Sequence, residues 1–138
     1  MSFPSSLDVL VEQPRASFIK RREDGSIDFV SPLPCPFNYG SVPGTCADDG
    51  DREDAVVLGP RLAKGVYTGL PVLARAHFYD AGRYDGKWVC GQALRASDRC
   101  ALVAFFNVYA VFKRVLNRAR GLSGSTRFGG LELASLSE

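Results

Sequence analysis

Residues 36–58 read PFNYGSVPGTCADDGDREDAVVL, three kinds of sequence in immediate succession. The stretch 31–46 holds Pro32, Pro34, Pro36 and Pro43, four of the eight prolines of the chain, so 31–46 is expected to be an ordered, irregular loop and not a regular element. Next come Asp48, Asp49, Asp51, Glu53 and Asp54 against a single Arg52, a formal −4 over residues 48–54. The run AVVL, residues 55–58, then reads as a buried strand, which places the acids at a strand's entrance. Like charges about 4 Å apart near a protein surface repel by about 4 kcal/mol, so if these side chains converge they must protonate or hold a hard cation. Asp49 and Asp51 point to one side of an extended chain and Asp54 to the other, and Gly50 permits the turn that would gather them. A solvated acidic loop is the other reading of this segment. An EF-hand is excluded, because a loop starting at Asp49 would have Asp54 at its glycine position and Pro60 at its glutamate position. An oxygen-only donor set without a nearby histidine favours magnesium, manganese or calcium.

Outward from this stretch, the chain has 138 residues, of which 46% are apolar and 23% charged. That fits one folded domain, residues 1–138, able to bury roughly two-thirds of its unfolded surface. A formal charge of +2 is too small to argue for nucleic acid, and Tyr79, Tyr84 and Trp88 are expected to pack a hairpin and not to stack on bases. No apolar run reaches the roughly 18 residues of a membrane span, and the first residues lack signal-peptide character. The expectation is a cytoplasmic protein without membrane partners. Cys35, Cys46, Cys90 and Cys100 lack metal or redox spacing and read as small core or loop residues.

Short strands are expected at 7–11, around Ile19 and Ile27–Val30, and over 66–79. The segment DAGRYDGKWVCG, residues 80–91, reads as a hairpin turning at Tyr84-Asp85-Gly86-Lys87. His77 reads as a structural residue on the preceding strand. From Ser97 to Arg120 the period changes: Leu102, Phe105, Phe106, Tyr109, Phe112 and Leu116 recur at helical spacing, with Ser97 as N-cap candidate and Gly121 as the residue after the C-cap. Residues 121–138, rich in glycine and serine, are expected to be a loosely held tail. Several strands followed by one helix give an α+β, mainly β architecture.

These residues carry a resemblance. P-F-N-Y-G-S-V-P-G-T followed by D-G-D-R-E-D and an apolar strand resembles the central stretch of the family I soluble inorganic pyrophosphatases. Val11-Glu12-Gln13-Pro14 with Ile19-Lys20 resembles that family's first strand pair. Asp80, Asp85 and Lys87 reproduce its D-x4-D-x-K, and Phe105-Phe106-Asn107-Val108-Tyr109 its F-F-x-x-Y. The resemblance covers about residues 9–112, in order. It implies a five-stranded OB-like β-barrel with a long flanking C-terminal helix, and a homo-oligomer. It also implies hydrolysis of pyrophosphate with several Mg2+ ions, for which Mn2+ can substitute. By position, Asp49, Asp54, Asp80 and Asp85 match metal ligands, and Asp51 the general base. Lys20, Tyr39, Lys87 and Tyr109 match phosphate contacts, and Glu12 an acid at the cleft edge.

The departures lie in the cations. No counterpart of the family's arginine precedes Asn38, Ala110 stands where a lysine follows the helical tyrosine, and Arg52 replaces a proline. Lys113, one helical turn beyond Tyr109, is placed to compensate, as are Arg52 or Arg75. A different pyrophosphate-bearing substrate, or a non-catalytic module binding metal or anions, are therefore the alternatives.

Overall fold

The computed structural model describes residues 3–16, 19–21, 27–30, 35–46, 50–122 and 125–134, the segments 19–21 and 27–30 by their backbone. In chain order these form β1 (Ser6–Gln13), β2 (Ile19–Arg21), β3 (Ile27–Val30), β4 (Asn38–Val42), β5 (Glu53–Val57), β6 (Gly65–Asp80), β7 (Arg83–Tyr84), β8 (Lys87–Cys90), α1 (Ala96–Ala119) and β9 (Arg127–Leu133). β2 and β3 pair as a separate hairpin.

Five strands close a ring in the order β1, β4, β5, β8, β6 and back to β1, which is the OB-like arrangement expected. The 16-residue β6 makes closure possible. Its first half pairs with β1, from Ser6↔Pro71 to Val11↔Gly65, and its second half with β8, from Val72↔Cys90 to Ala76↔Lys87. The change of partner falls beside Gly69 (φ +66°) and Pro71, which bend the strand.

Alternation along the strands divides the core. Tyr39, Val56, Ala74, Ala76, Phe78 and Val89 point to one face, where Leu102, Phe106 and Ala110 of α1 pack on them. Val9, Val11, Val42, Ala55, Val57, Val72 and Cys90 fill the opposite face. Cys35 and Cys90 are buried, Cys46 and Cys100 exposed, and all four are free thiols. Burial pushes the Cys90 thiol up to about 12, so it stays protonated and acts as packing.

Four local expectations are corrected. Asn38–Val42, inside the proline-rich stretch, is strand β4, because its prolines flank those five residues and leave their N–H groups free to pair with β1 and β5. The hairpin turns at Ala81 and Gly82, both at positive φ (+53° and +82°), and not at 84–87. Ala81 tolerates this backbone where its N–H donates to Thr126 Oγ1 at 2.9 Å and the Gly82 N–H to the Ser125 carbonyl at 2.7 Å. The helix N-cap is Arg95 and not Ser97: the Asp98 carboxylate accepts the Arg95 N–H at 3.0 Å, the carboxylate half of a capping box. Finally, residues 127–133 of the expected loose tail form β9, paired with the β6 edge from Ala74↔Leu133 to Tyr79↔Arg127. That edge lies beyond the reach of β1, and an open edge takes a strand wherever one is supplied.

The C-terminus of α1 ends as expected at Gly121 (φ +73°). The Leu122 N–H bonds the Asn117 carbonyl and the Gly121 N–H the Arg118 carbonyl, the paired bonds of a Schellman motif. By length and composition α1 is apolar enough to cross a membrane, even though its charged residues interrupt every long apolar run. Its inner face is buried on the sheet.

Candidate active site

The N-Y-G tripeptide at the start of β4 assigns one task to each residue. Asn38 is fully buried: its Oδ1 accepts the N–H groups of Arg15 and Leu62 at 3.0 and 2.8 Å, and its Nδ2 donates to the carbonyls of Val57 and Pro60 at 3.2 and 2.9 Å. It therefore ties three chain segments together, with each hydrogen-bonding position filled. Gly40 passes so close to β1 that a Cβ there would lie 1.8 Å from the Leu10 carbonyl oxygen. Tyr39, between them, turns its ring to the helix-facing side. The following Val42-Pro43-Gly44-Thr45 makes a turn with Gly44 at φ +82°. Thr45 Oγ1 then accepts the Glu53 N–H at 3.0 Å, fixing where the acidic segment re-enters the sheet.

β5 and β8 run parallel, with Asp54 beside Lys87. The Lys87 ammonium donates at 2.7 Å to Asp54 Oδ2 and at 2.7 Å to Asp85 Oδ2, and Lys87 is 0% exposed. Burial opposes its charge, but the carboxylates of Asp54 and Asp85 outweigh burial and raise its pKa well above the ordinary value. The Tyr39 hydroxyl lies 3.2 Å from the same Asp54 oxygen. Burial, reinforced by the Asp54 charge, raises the phenol pKa well above normal, so it is a neutral donor. Tyr109, on α1, stacks on Phe105 at 5.9 Å and bears electrostatically on both Tyr39 and Lys87.

A second centre forms where β6 ends. Asp80 Oδ1 accepts from Asn117 Nδ2 at 2.7 Å and lies 3.4 Å from Thr126 Oγ1, while its Oδ2 faces the Lys113 ammonium at 3.2 Å. Burial would raise the Asp80 pKa, but the Asn117 hydrogen bond and the Lys113 charge prevail and lower it. Lys113 thus reaches the acidic face, as its helical position suggested, and binds a carboxylate there. Asn117 and Thr126 escaped sequence reasoning. The available signal was Asn117 itself, a polar residue on the stripe Leu102, Phe106, Ala110, Lys113 that is otherwise mostly apolar.

Of the other candidates, Asp51 is exposed just before β5, and Glu12 is the extra residue of a β1 bulge between Val11, opposite Gly40, and Gln13, opposite Tyr39. Lys20 sits in β2 opposite Phe29 of β3. Asp49 lies outside the described residues. Ala110 is 1% exposed and supplies packing where the resemblance calls for a lysine. Arg75 does not compensate: its guanidinium is bonded to Glu53 at 3.1 Å and lies 4.0 Å from the Trp88 ring, on the face of the sheet away from Lys87. His77 is also on that face, between Tyr84 and Glu132, and is structural.

Among the described residues no group of three or more histidine, cysteine or acidic side chains is gathered as a metal cage. Asp54 and Asp85 converge instead on Lys87, and Asp80 on Lys113. The donor chemistry nevertheless fits a hard dication: carboxylates from β5, β6 and the segment before β8 lie on one face, with neither thiol nor imidazole among them.

The chain matches the family profile described as inorganic pyrophosphatase over residues 9–99. An inorganic pyrophosphatase of Gluconobacter oxydans is 38% identical over 98 residues, 63% of this chain and 55% of the relative. One from Synechocystis is 31% identical over 93 residues, 61% of this chain and 54% of the relative. The match thus spans about half the length of these relatives. The crystal structure of an inorganic pyrophosphatase from Neisseria gonorrhoeae superposes with a TM-score of 0.72 at 26% identity, over 94% of this chain and 83% of that one. The one from Thermus thermophilus shares the fold, with a TM-score of 0.75 at 22% identity over 96% and 88%.

Proposed function

The chain belongs to the inorganic pyrophosphatase family, and from that premise we propose that it hydrolyses inorganic pyrophosphate to two phosphates with Mg2+ as cofactor. The observation that carries this reading is the buried Lys87 ammonium shared by Asp54 and Asp85, with the Tyr39 hydroxyl on Asp54: a pre-organised carboxylate pair on the face that Tyr109 adjoins.

Asp49, Asp54, Asp80 and Asp85 would hold the metal. Several Mg2+ ions, or Mn2+ in their place, would neutralise the substrate's charge and make water more acidic. The chain's own residues supply the rest. Asp51, exposed ahead of β5, accepts the proton of the attacking water. Lys87 uses two of its three N–H donors on carboxylates and would turn the third to a phosphate oxygen, while Tyr39, neutral because its pKa is raised, would turn its single O–H from Asp54 to the bound phosphate. Tyr109 and Lys20 complete the phosphate contacts, and Glu12 at its bulge acts from the cleft edge.

The test is phosphate release from pyrophosphate with and without Mg2+, beside Asp51→Asn. Release should require Mg2+ and fall by about 10²-fold or more in the variant, in the range of a lost general base. An Asp51→Asn enzyme as fast as the parent would remove Asp51 from this role. The buried Ala110 favours a second reading, a larger pyrophosphate-bearing substrate. A panel showing turnover of such a compound but not of pyrophosphate would favour it.

The proposal includes a cytoplasmic homo-oligomer. Exposed thiols at Cys46 and Cys100 suit a reducing compartment. Val108, Val111 and Val115, 48%, 53% and 66% exposed, form an apolar stripe on the outer side of α1 that a second copy would cover. Light scattering should give a multiple of the chain mass that Val111→Glu lowers; a monomeric parent would refute this part.

A further inference from the structure

On the face of the sheet opposite the carboxylates, one cation touches the neighbours of all three residues of the Lys87 centre. Strand alternation makes this possible: Glu53 precedes Asp54, Tyr84 precedes Asp85 and Trp88 follows Lys87, so each neighbour points to the back. Arg75, on β6 opposite Trp88, reaches all three. Its Nη1 donates to Glu53 Oε1 at 3.1 Å, its Nε lies 3.3 Å from the Tyr84 hydroxyl, and its guanidinium carbon is 4.0 Å from the Trp88 ring centre. Trp88 Nε1 donates to the same Glu53 oxygen at 2.8 Å.

The contacts form a directed chain. If Arg75 Nε donates to the Tyr84 oxygen, the Tyr84 O–H donates to His77 Nδ1 at 2.7 Å, and His77 Nε2–H donates to Glu132 at 2.9 Å. Each proton then has one acceptor, which assigns the Nε2–H tautomer to His77. Gly86, between Asp85 and Lys87, is pressed onto this clamp: a Cβ there would lie 2.4 Å from the Tyr84 hydroxyl and 2.8 Å from Arg75 Nε. The Arg75 side chain is 12% exposed, so it is held in one place and screened little by solvent.

We propose that Arg75 is a positioning residue, which through Glu53, Tyr84 and Trp88 fixes the directions in which Asp54, Asp85 and Lys87 present their side chains. From behind the sheet it acts on β5, β7 and β8 at once. The inference rests on the reading of those carboxylates as holders of a divalent ion. Outer residues that orient ligands typically contribute 10–100-fold in metal affinity or activity.

The experiment uses Mn2+ as probe, titrated calorimetrically into the full chain, alongside Mg2+-dependent release of phosphate from pyrophosphate. Arg75→Met, close in length without the fork, should bind Mn2+ about tenfold more weakly and lower kcat about tenfold with KM changed far less. Its circular dichroism should remain that of the parent. Arg75→Lys, which keeps the charge and one donor, should recover part of both. Tyr84→Phe serves as second variant if Arg75→Met does not fold, with a smaller loss of Mn2+ affinity expected. Folded variants that bind Mn2+ and turn over within twofold of the parent would overturn the proposal, as would a parent that binds no Mn2+. A parent that binds Mn2+ without hydrolysing pyrophosphate would defeat the functional reading alone, and the calorimetric comparison would still decide the role of Arg75.

Discussion

Lys87→Met should lower the unfolding free energy by about 3–5 kcal/mol, as removal of one partner of a buried ion pair does, and should abolish phosphate release. The two carboxylates now 2.7 Å from one ammonium would face each other without a countercharge, and Asp54 would keep only the Tyr39 hydroxyl among its site partners described above. Metal or protons would have to supply the missing charge. Urea unfolding in chelator measures the first effect, since metal would mask it by binding the folded state. The direction of the Lys87 pKa adds a pH signature. Because it is raised, the stabilisation is complete at neutral pH and is lost only as pH rises through the folded value, so the variant should lack that alkaline decline. Adding Asp54→Asn to Lys87→Met should restore part of the stability, since a neutral amide is no longer an unpaired buried charge. A single variant less than about 1 kcal/mol weaker than the parent would contradict a buried, charge-sharing Lys87.

Gly40→Ala should be at least as damaging, about 4 kcal/mol or more, at the extreme of single substitutions. The new methyl group would meet a backbone oxygen at 1.8 Å and the Leu10 carbonyl carbon at 2.8 Å, with no flexible side chain to yield. Relief requires β1 and β4 to separate, which breaks the ladder Leu10↔Ser41, Val11↔Gly40 that closes the ring. It also shifts Tyr39, the adjacent residue. Thermal unfolding of the variant is the measurement. A melting temperature within a few degrees of the parent would mean that β1 is free to move there. The contrast with Gly44 is instructive: nothing lies within 4 Å of a Cβ there, and its constraint is the positive φ of a turn. Two glycines four residues apart are thus required for different reasons.

Much of the fold was legible because it depends on short-range pattern. The apolar run after the acids became β5, the β-branched stretch 66–79 lies within β6, and the 3.6-residue period from Leu102 to Leu116 became α1, ending at Gly121 as its sequence indicated. What failed depended on partners. Asn38–Val42 looked irregular because prolines flank it, yet neighbours on both edges make it a strand. Ala81 and Gly82 are left-handed where residues 125 and 126 accept their N–H groups, from more than forty residues away. Residues 127–133 carry no strong alternation and become β9 by occupying an open edge of β6.

The site divides in the same way. By itself the sequence determined which atoms are available: hard oxygen donors in D-G-D-R-E-D and D-x4-D-x-K, a tyrosine in N-Y-G, and an alanine at position 110 where the family resemblance calls for a lysine. It could not determine pairing, because a side chain's partner is set by which strands lie side by side. Only the tertiary structure placed Lys87 between Asp54 and Asp85, Lys113 on Asp80, and Arg75 behind the sheet against Glu53 and Trp88. The reason is geometric: β5 lies parallel to β8, a contact between residues 33 apart, and strand alternation then sends neighbouring residues to opposite faces.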